Sequence, residues 1–131
     1  ATFHLERAFE MSPDMSIVAN NLAWVLCNDD PPQLDRALTL VNQAIKSSPG
    51  TPEMLETRGQ IFARMGEWKS ALSDLEVALP AMPDSIELHT TLGDVYEHLE
   101  LPSLAAKHRQ VAQSLLAANA EPARPQDPRP E

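Results

Sequence analysis

Between Pro52 and Met65, apolar Leu55, Phe62 and Met65 fall on one helical face together with Gly59, following the 3.6-residue period. From Trp68 to Leu79 the same alternation returns with Ala71, Leu72, Leu75, Ala78 and Leu79. The pattern predicts two helices joined at Met65-Gly66-Glu67, where the glycine can adopt the positive φ that closes a helix. Thr51 is the expected N-cap of the first helix, and Pro52 sits where a missing N–H costs nothing. Pro49 and Pro83 are read as stops for second helices, and Asp84 with Glu87 as a capping box opening the next first helix. Small residues at Gly59 and Ala71 would let the paired helices approach closely, and Ala78 would do the same for the neighbouring pair. A larger side chain there would overpack the contact, at a cost of roughly 1–3 kcal/mol.

If those contacts repeat, so should the residues. Adding 34 to Gly59, Ala71 and Ala78 gives Gly93, Ala105 and Ala112, and Phe62 moves to Tyr96. Subtracting 34 takes Ala71, Leu75, Ala78 and Pro83 to Ala37, Val41, Ala44 and Pro49. A further step back of 36 reaches Ala1, Leu5, Ala8 and Pro13. The two extra residues fall around Asn28-Asp29-Asp30-Pro31-Pro32-Gln33, a turn-forming cluster that accommodates an insertion cheaply. The chain therefore reads as stacked helix pairs.

Leu92-Gly93-Asp94-Val95-Tyr96 followed by Ala105 and Ala112 resembles the tetratricopeptide repeat. So do Leu22-Ala23 with Leu26, Ala37, Ala44 and Pro49, and Gly59 with Phe62, Ala71, Ala78 and Pro83. The resemblance implies an all-α, right-handed superhelical solenoid of antiparallel helix pairs, about seven helices in all. Its expected parts are a second helix of an incomplete repeat at 1–15, repeats at 16–51, 52–85 and 86–119, and a proline-rich tail at 120–131. Arg58 departs from the usual leucine, and Arg109 stands where Leu5, Val41 and Leu75 stand in the other units. The family's early aromatic is replaced by Ala19, Leu55 and His89.

The two ends of the array read differently. Arg109 suits a terminal unit with no following repeat to cover it, and Lys107, His108, Gln110 and Gln113 make the last helix polar. The closing AEPARPQDPRPE has four prolines in twelve residues and no apolar periodicity, the signature of a disordered tail. At the start, Phe3, Leu5 and Phe9 expect a first helix that the sequence does not contain. The chain is accordingly read as the C-terminal part of a longer protein, able to pair with a second copy through residues 1–11.

Composition narrows the function. A net charge of −9 over 131 residues disfavours nucleic acid and anionic lipid. The longest apolar run, Leu22 to Cys27, is far short of a membrane span, and Ala1 to Glu10 does not read as a secretory leader. Cys27 has no partner for a disulfide, which suits a reducing cytosol without excluding a bacterial envelope. No metal ligand set, phosphate-binding loop or activated nucleophile is present, so neither catalysis nor a cofactor is expected. Asp94 and His98, one helical turn apart, read as a local ion pair. Trp68 is expected to pack over the Gly66 turn, whereas Trp24 reads equally as a packing residue and as a ligand anchor.

By the same resemblance, first helices would line a concave groove that holds a peptide or protein segment. Its rows would be Ile17, Asn20, Trp24, Cys27 and Asn28; then Glu53, Glu56, Gln60, Ala63 and Arg64; then Glu87, Thr90, Asp94, Glu97 and His98. Five carboxylates against one arginine favour a partner carrying Lys or Arg, with Trp24 and Ile17 as an apolar pocket. Some members of the family clamp a C-terminal carboxylate with Lys, Arg and Asn; Asn20 and Asn21 could supply the amide, but Glu87 and Thr91 stand where cations would be needed. The expectation is a non-catalytic interaction scaffold; the alternative is an array that stacks end to end through its N-terminal helix.

Overall fold

A computed structural model describes residues 13–120. Six α-helices run through them: α1 (Pro13–Cys27), α2 (Leu34–Ser47), α3 (Pro52–Arg64), α4 (Trp68–Ala78), α5 (Ile86–His98) and α6 (Pro102–Ala120). A short 3-10 turn, Leu79–Ala81, follows α4. The described residues contain no strand. They divide into two compact units, one ending at Ala81 and the other beginning at Met82. The first holds the pairs α1–α2 and α3–α4, with α3 also lying against α1 and α2; the second holds the pair α5–α6. Of the second helix predicted for residues 1–15, residues 1–12 lie outside the described residues, and so does the predicted tail from 121 onward.

The core of the first unit grows from small residues at the helix crossings. Ala19, Ala23, Ala37, Ala44 and Cys27 pack with Leu26, Leu40, Val41, Met54 and Ile61. Met54 and Ile61 are nearly inaccessible, whereas Leu55, Phe62 and Met65, the face expected from periodicity, are only half-buried. The reason is that α3 is packed from two sides: Met54 and Ile61 enter the α1–α2 core, and Gly59 meets α4. A Cβ placed on Gly59 would come within 2.7 Å of Leu75. In the second unit, Leu88, Leu92, Val95, Tyr96, Ala105 and Ala112 are the buried apolar set.

Several expected boundaries shift for identifiable reasons. Pro13 opens α1, in keeping with proline's tolerance at the first helical position. Helix α4 ends at Ala78, ahead of Pro80 in the 3-10 turn, so Pro83 is not its stop. Thr51 is the N-cap residue of α3 by backbone geometry, but its hydroxyl donates to the Ser48 carbonyl at 3.0 Å instead of capping. Ser85, not Asp84, caps α5: its Oγ accepts from the Leu88 N–H at 3.1 Å. Gly66 takes φ +81° as expected, while the equivalent position 34 residues on is Glu100, at φ 65°. In the inserted turn, Asp29 accepts from the Asp30 N–H and from Gln33, and these bonds hold its carboxyl below the usual range.

Candidate functional site

The first helices α1, α3 and α5 carry the residues expected to bind. Along α1 and just past its end, Ile17, Asn21, Trp24 and Asn28 form an exposed stripe; Ile17 is 54 % and Trp24 39 % exposed. Cys27 faces inward and is nearly inaccessible. Burial raises its thiol above the ordinary value of 9.0, and the neighbouring Arg64 offsets part of that rise. Arg64 also donates to Asn28 Oδ1 at 2.7 Å, tying the end of α3 to the end of α1. The other side of the Asn28 amide donates to the Trp24 carbonyl at 2.9 Å.

On α3 only part of the expected row reaches solvent. Glu53 and Arg64 are exposed and Ala63 is half-buried, but Glu56 and Gln60 are buried. Gln60 Nε2 has no hydrogen-bond partner among the described residues. Between α1 and the start of α3 lies a cleft of about 360 Å³ lined by Ile17, Asn20, Asn21, Thr51, Glu53 and Met54. Asn20 Oδ1 is shielded from water and likewise lacks a partner.

On α5, Glu87, Thr90, Asp94, Glu97 and His98 are all exposed. Two of the three carboxylates are engaged, because Arg109 on α6 pairs with Asp94 at 2.9 Å and with Glu97. His98 Nδ1 donates to the Asp94 backbone carbonyl at 2.9 Å, and the Asp94 carboxylate accepts from Arg109. Arg109 keeps its guanidinium near solvent, with 41 % of the side chain exposed. Its stem covers Gly93, where an added Cβ would meet Arg109 Cγ at 2.7 Å, just as Leu75 covers Gly59.

Two polar seams were not anticipated. Arg58 donates through Nε and Nη2 to Asp74, at 2.7 and 2.9 Å, and through Nη1 to Asn42 at 3.1 Å. This explains the departure from leucine: the guanidinium neutralises a buried aspartate on α4 and lies 5.8 Å from the Phe62 ring centroid. In the second unit, His89 and His108 are buried with their Nδ1 atoms 3.0 Å apart, and Tyr96 stacks on His108. His89 Nε2 donates to the Pro83 carbonyl at 2.8 Å, and one Nδ1 must donate to the other. The signal for both seams was in the repeat alignment. Asp74 and His108 occupy the position of apolar Leu40, and a polar residue there requires a partner on the facing helix.

No group of three His, Cys, Asp or Glu residues among the described ones is placed to hold a metal, and none of these helices is long and apolar enough to cross a membrane. Neither family models nor curated proteins match the sequence. Solved structures do. An arginine-to-glutamate mutant of MamA matches at 22 % identity and TM-score 0.67, over 85 % of this chain and 80 % of that one. The fold is a helical-repeat solenoid. MamA MSR-1 C2 matches at 22 % identity and TM-score 0.65, over 88 % of this chain and 65 % of that one. A further MamA crystal structure gives 19 % and 0.66, over 85 % of this chain and 64 % of its own. MamA is a tetratricopeptide-like helical-repeat protein, and at these identities the likeness speaks to fold alone.

Proposed function

We propose that this chain is a non-catalytic protein-interaction scaffold that binds a Lys- or Arg-bearing segment of another protein on its first helices. The observation that carries the reading is the α1 stripe, an exposed tryptophan and isoleucine interleaved with two asparagines. Large aromatic side chains left in solvent beside hydrogen-bonding amides are the composition of interaction hot spots. Glu53 on α3, in the same compact unit, supplies complementary charge. Selection from a displayed peptide library tests this. Basic segments with an apolar neighbour should be enriched, and Trp24→Ala should abolish their binding while circular dichroism stays unchanged. Enrichment without basic residues, or binding that survives Trp24→Ala, would defeat the reading.

A second reading, self-association, is favoured by Val18, Leu22 and Val25, which line another exposed side of α1 at 59 %, 39 % and 54 %. Sedimentation velocity should then show a dimer that Val18→Ser with Val25→Ser dissolves. A monomer at high concentration would exclude it.

A further inference from the structure

The aliphatic side of α1 is out of keeping with its place among the repeats. Val18, Leu22 and Val25 follow one another at steps of four and three, a single helical row, and all three are exposed. Adding 36 gives Met54, Arg58 and Ile61 on α3, and a further 34 gives Leu88, Leu92 and Val95 on α5. The apolar members of both later rows are nearly inaccessible. The same row is therefore buried twice and open once.

What covers the row on α3 is visible. Met54 and Ile61 enter a core that holds Leu40, Val41 and Ala44 of α2, the second helix of the preceding pair, with Ala23 and Leu26 of α1. Subtracting 36 from Ala37, Val41 and Ala44 gives Ala1, Leu5 and Ala8. These keep the steps of four and three, and at helical spacing Glu6 and Glu10 fall on the opposite side. Leu40 has no apolar counterpart, since His4 takes its place. Residues 1–12 thus carry most of the α2 half of that wall in their sequence.

We propose that residues 1–12 form a helix that folds back antiparallel on α1 and seats Leu5 and Ala8 over Val18, Leu22 and Val25. The junction at Pro13 holds the segment beside its seat at high effective concentration, whereas a second copy, also at net charge −9, is repelled. A helix of about eleven residues is about 16 Å long, enough to span the roughly 10 Å from Val18 to Val25. Ile17, Asn21 and Trp24 form the neighbouring row and stay open to a partner. The seat is independent of the scaffold reading, and it is the alternative to self-association through the same row.

The test places a nitroxide on Thr2→Cys in the full chain; Cys27 is buried and does not compete for the reagent. In the folded-back arrangement residue 2 lies beside the second half of α1. The 15N amide signals of Leu22 and Val25 should lose most of their intensity and regain it when the nitroxide is reduced. In a mixture of nitroxide-bearing chains at natural abundance with 15N chains lacking the nitroxide, the same signals should keep their intensity. Val18→Ser with Val25→Ser alters exposed positions only and should restore the Leu22 signal. Unchanged shifts at Ile61 and Leu75 report that these variants keep the fold, and Leu22→Ser read at Val25 replaces the pair if they do not. Full intensity at Leu22 and Val25 in the labelled chain would overturn the proposal. So would a loss seen only in the mixture, which seats a second copy, or a loss that persists in the row variants.

Discussion

Gly59 and Gly93 occupy the same repeat position, and the side chains that cover them set different costs for filling it. An added methyl at Gly59 would press on Leu75, which is fully buried and cannot retreat. Gly59→Ala is expected to lower stability by about 1–3 kcal/mol. At Gly93 the obstacle is the flexible stem of Arg109, which can swing into solvent. Alanine's higher helix propensity, worth up to about 1 kcal/mol, then offsets the lost surface ion pairs, so Gly93→Ala should be close to neutral. Chemical denaturation of the two variants measures the difference. Cys27 gives a prediction in pH. Its thiol is raised above 9.0 chiefly by burial, so the folded state holds its proton more tightly than the unfolded chain. That contribution is fully present below pH 9 and is lost as pH climbs through the raised value. A Cys27→Ala variant should show a shallower loss of stability above pH 9, and a parallel decline in both proteins would contradict this account.

At the scale of helices, stability depends on what crosses each pair. Arg58 links α3 to α4 through Asp74, whose side chain is only 9 % exposed. Arg58→Leu would strand that carboxylate and should cost about 2 kcal/mol, less than for a wholly buried pair because the arginine is itself 26 % exposed. Adding Asp74→Leu recreates the apolar chemistry of Leu22 and Leu40 one repeat earlier, and should restore most of the loss in thermal unfolding. The turn after α5 makes the opposite point. Glu100 holds the left-handed conformation that Gly66 adopts in the preceding repeat. Glu100→Gly is expected to stabilise the α5–α6 pair by up to about 1 kcal/mol, read as a higher midpoint in urea. Both cases show how far the sequence could be read. Spacing located the helix pairs and the small residues at their crossings, because backbone distance tolerates few substitutes there. Spacing could not tell that Arg58 reaches a buried aspartate, that Asp94 turns to Arg109, or that His89 meets His108. Those depend on side-chain reach across a seam, which no single-helix pattern encodes.

For the molecule as a whole, charge separates the two functional readings. A net charge of −9 attracts a basic segment and repels another copy of the chain. Raising salt from about 50 to 500 mM shortens the screening length severalfold. Binding of a basic peptide should weaken and self-association through the apolar side of α1 should strengthen, so one titration followed by sedimentation and by peptide fluorescence gives opposite slopes. The candidate site was legible only as a set of helix positions. Glu56 and Gln60 were assigned to an open face on register alone, yet they are buried, because α3 is packed from more than one side.

The shared seam of Leu75 over Gly59 and Arg109 over Gly93 has a consequence for how such a chain can change over time. Many leucine and arginine codons differ by a single base. Both side chains begin with the same reach of aliphatic carbon, and it is this part that the glycine accommodates. A repeat can therefore trade a dry contact for one that ends in a charge in a single mutational step, without passing through a sequence that no longer packs. Duplicated units that began alike could acquire distinct surface chemistry this way while their backbones stayed interchangeable.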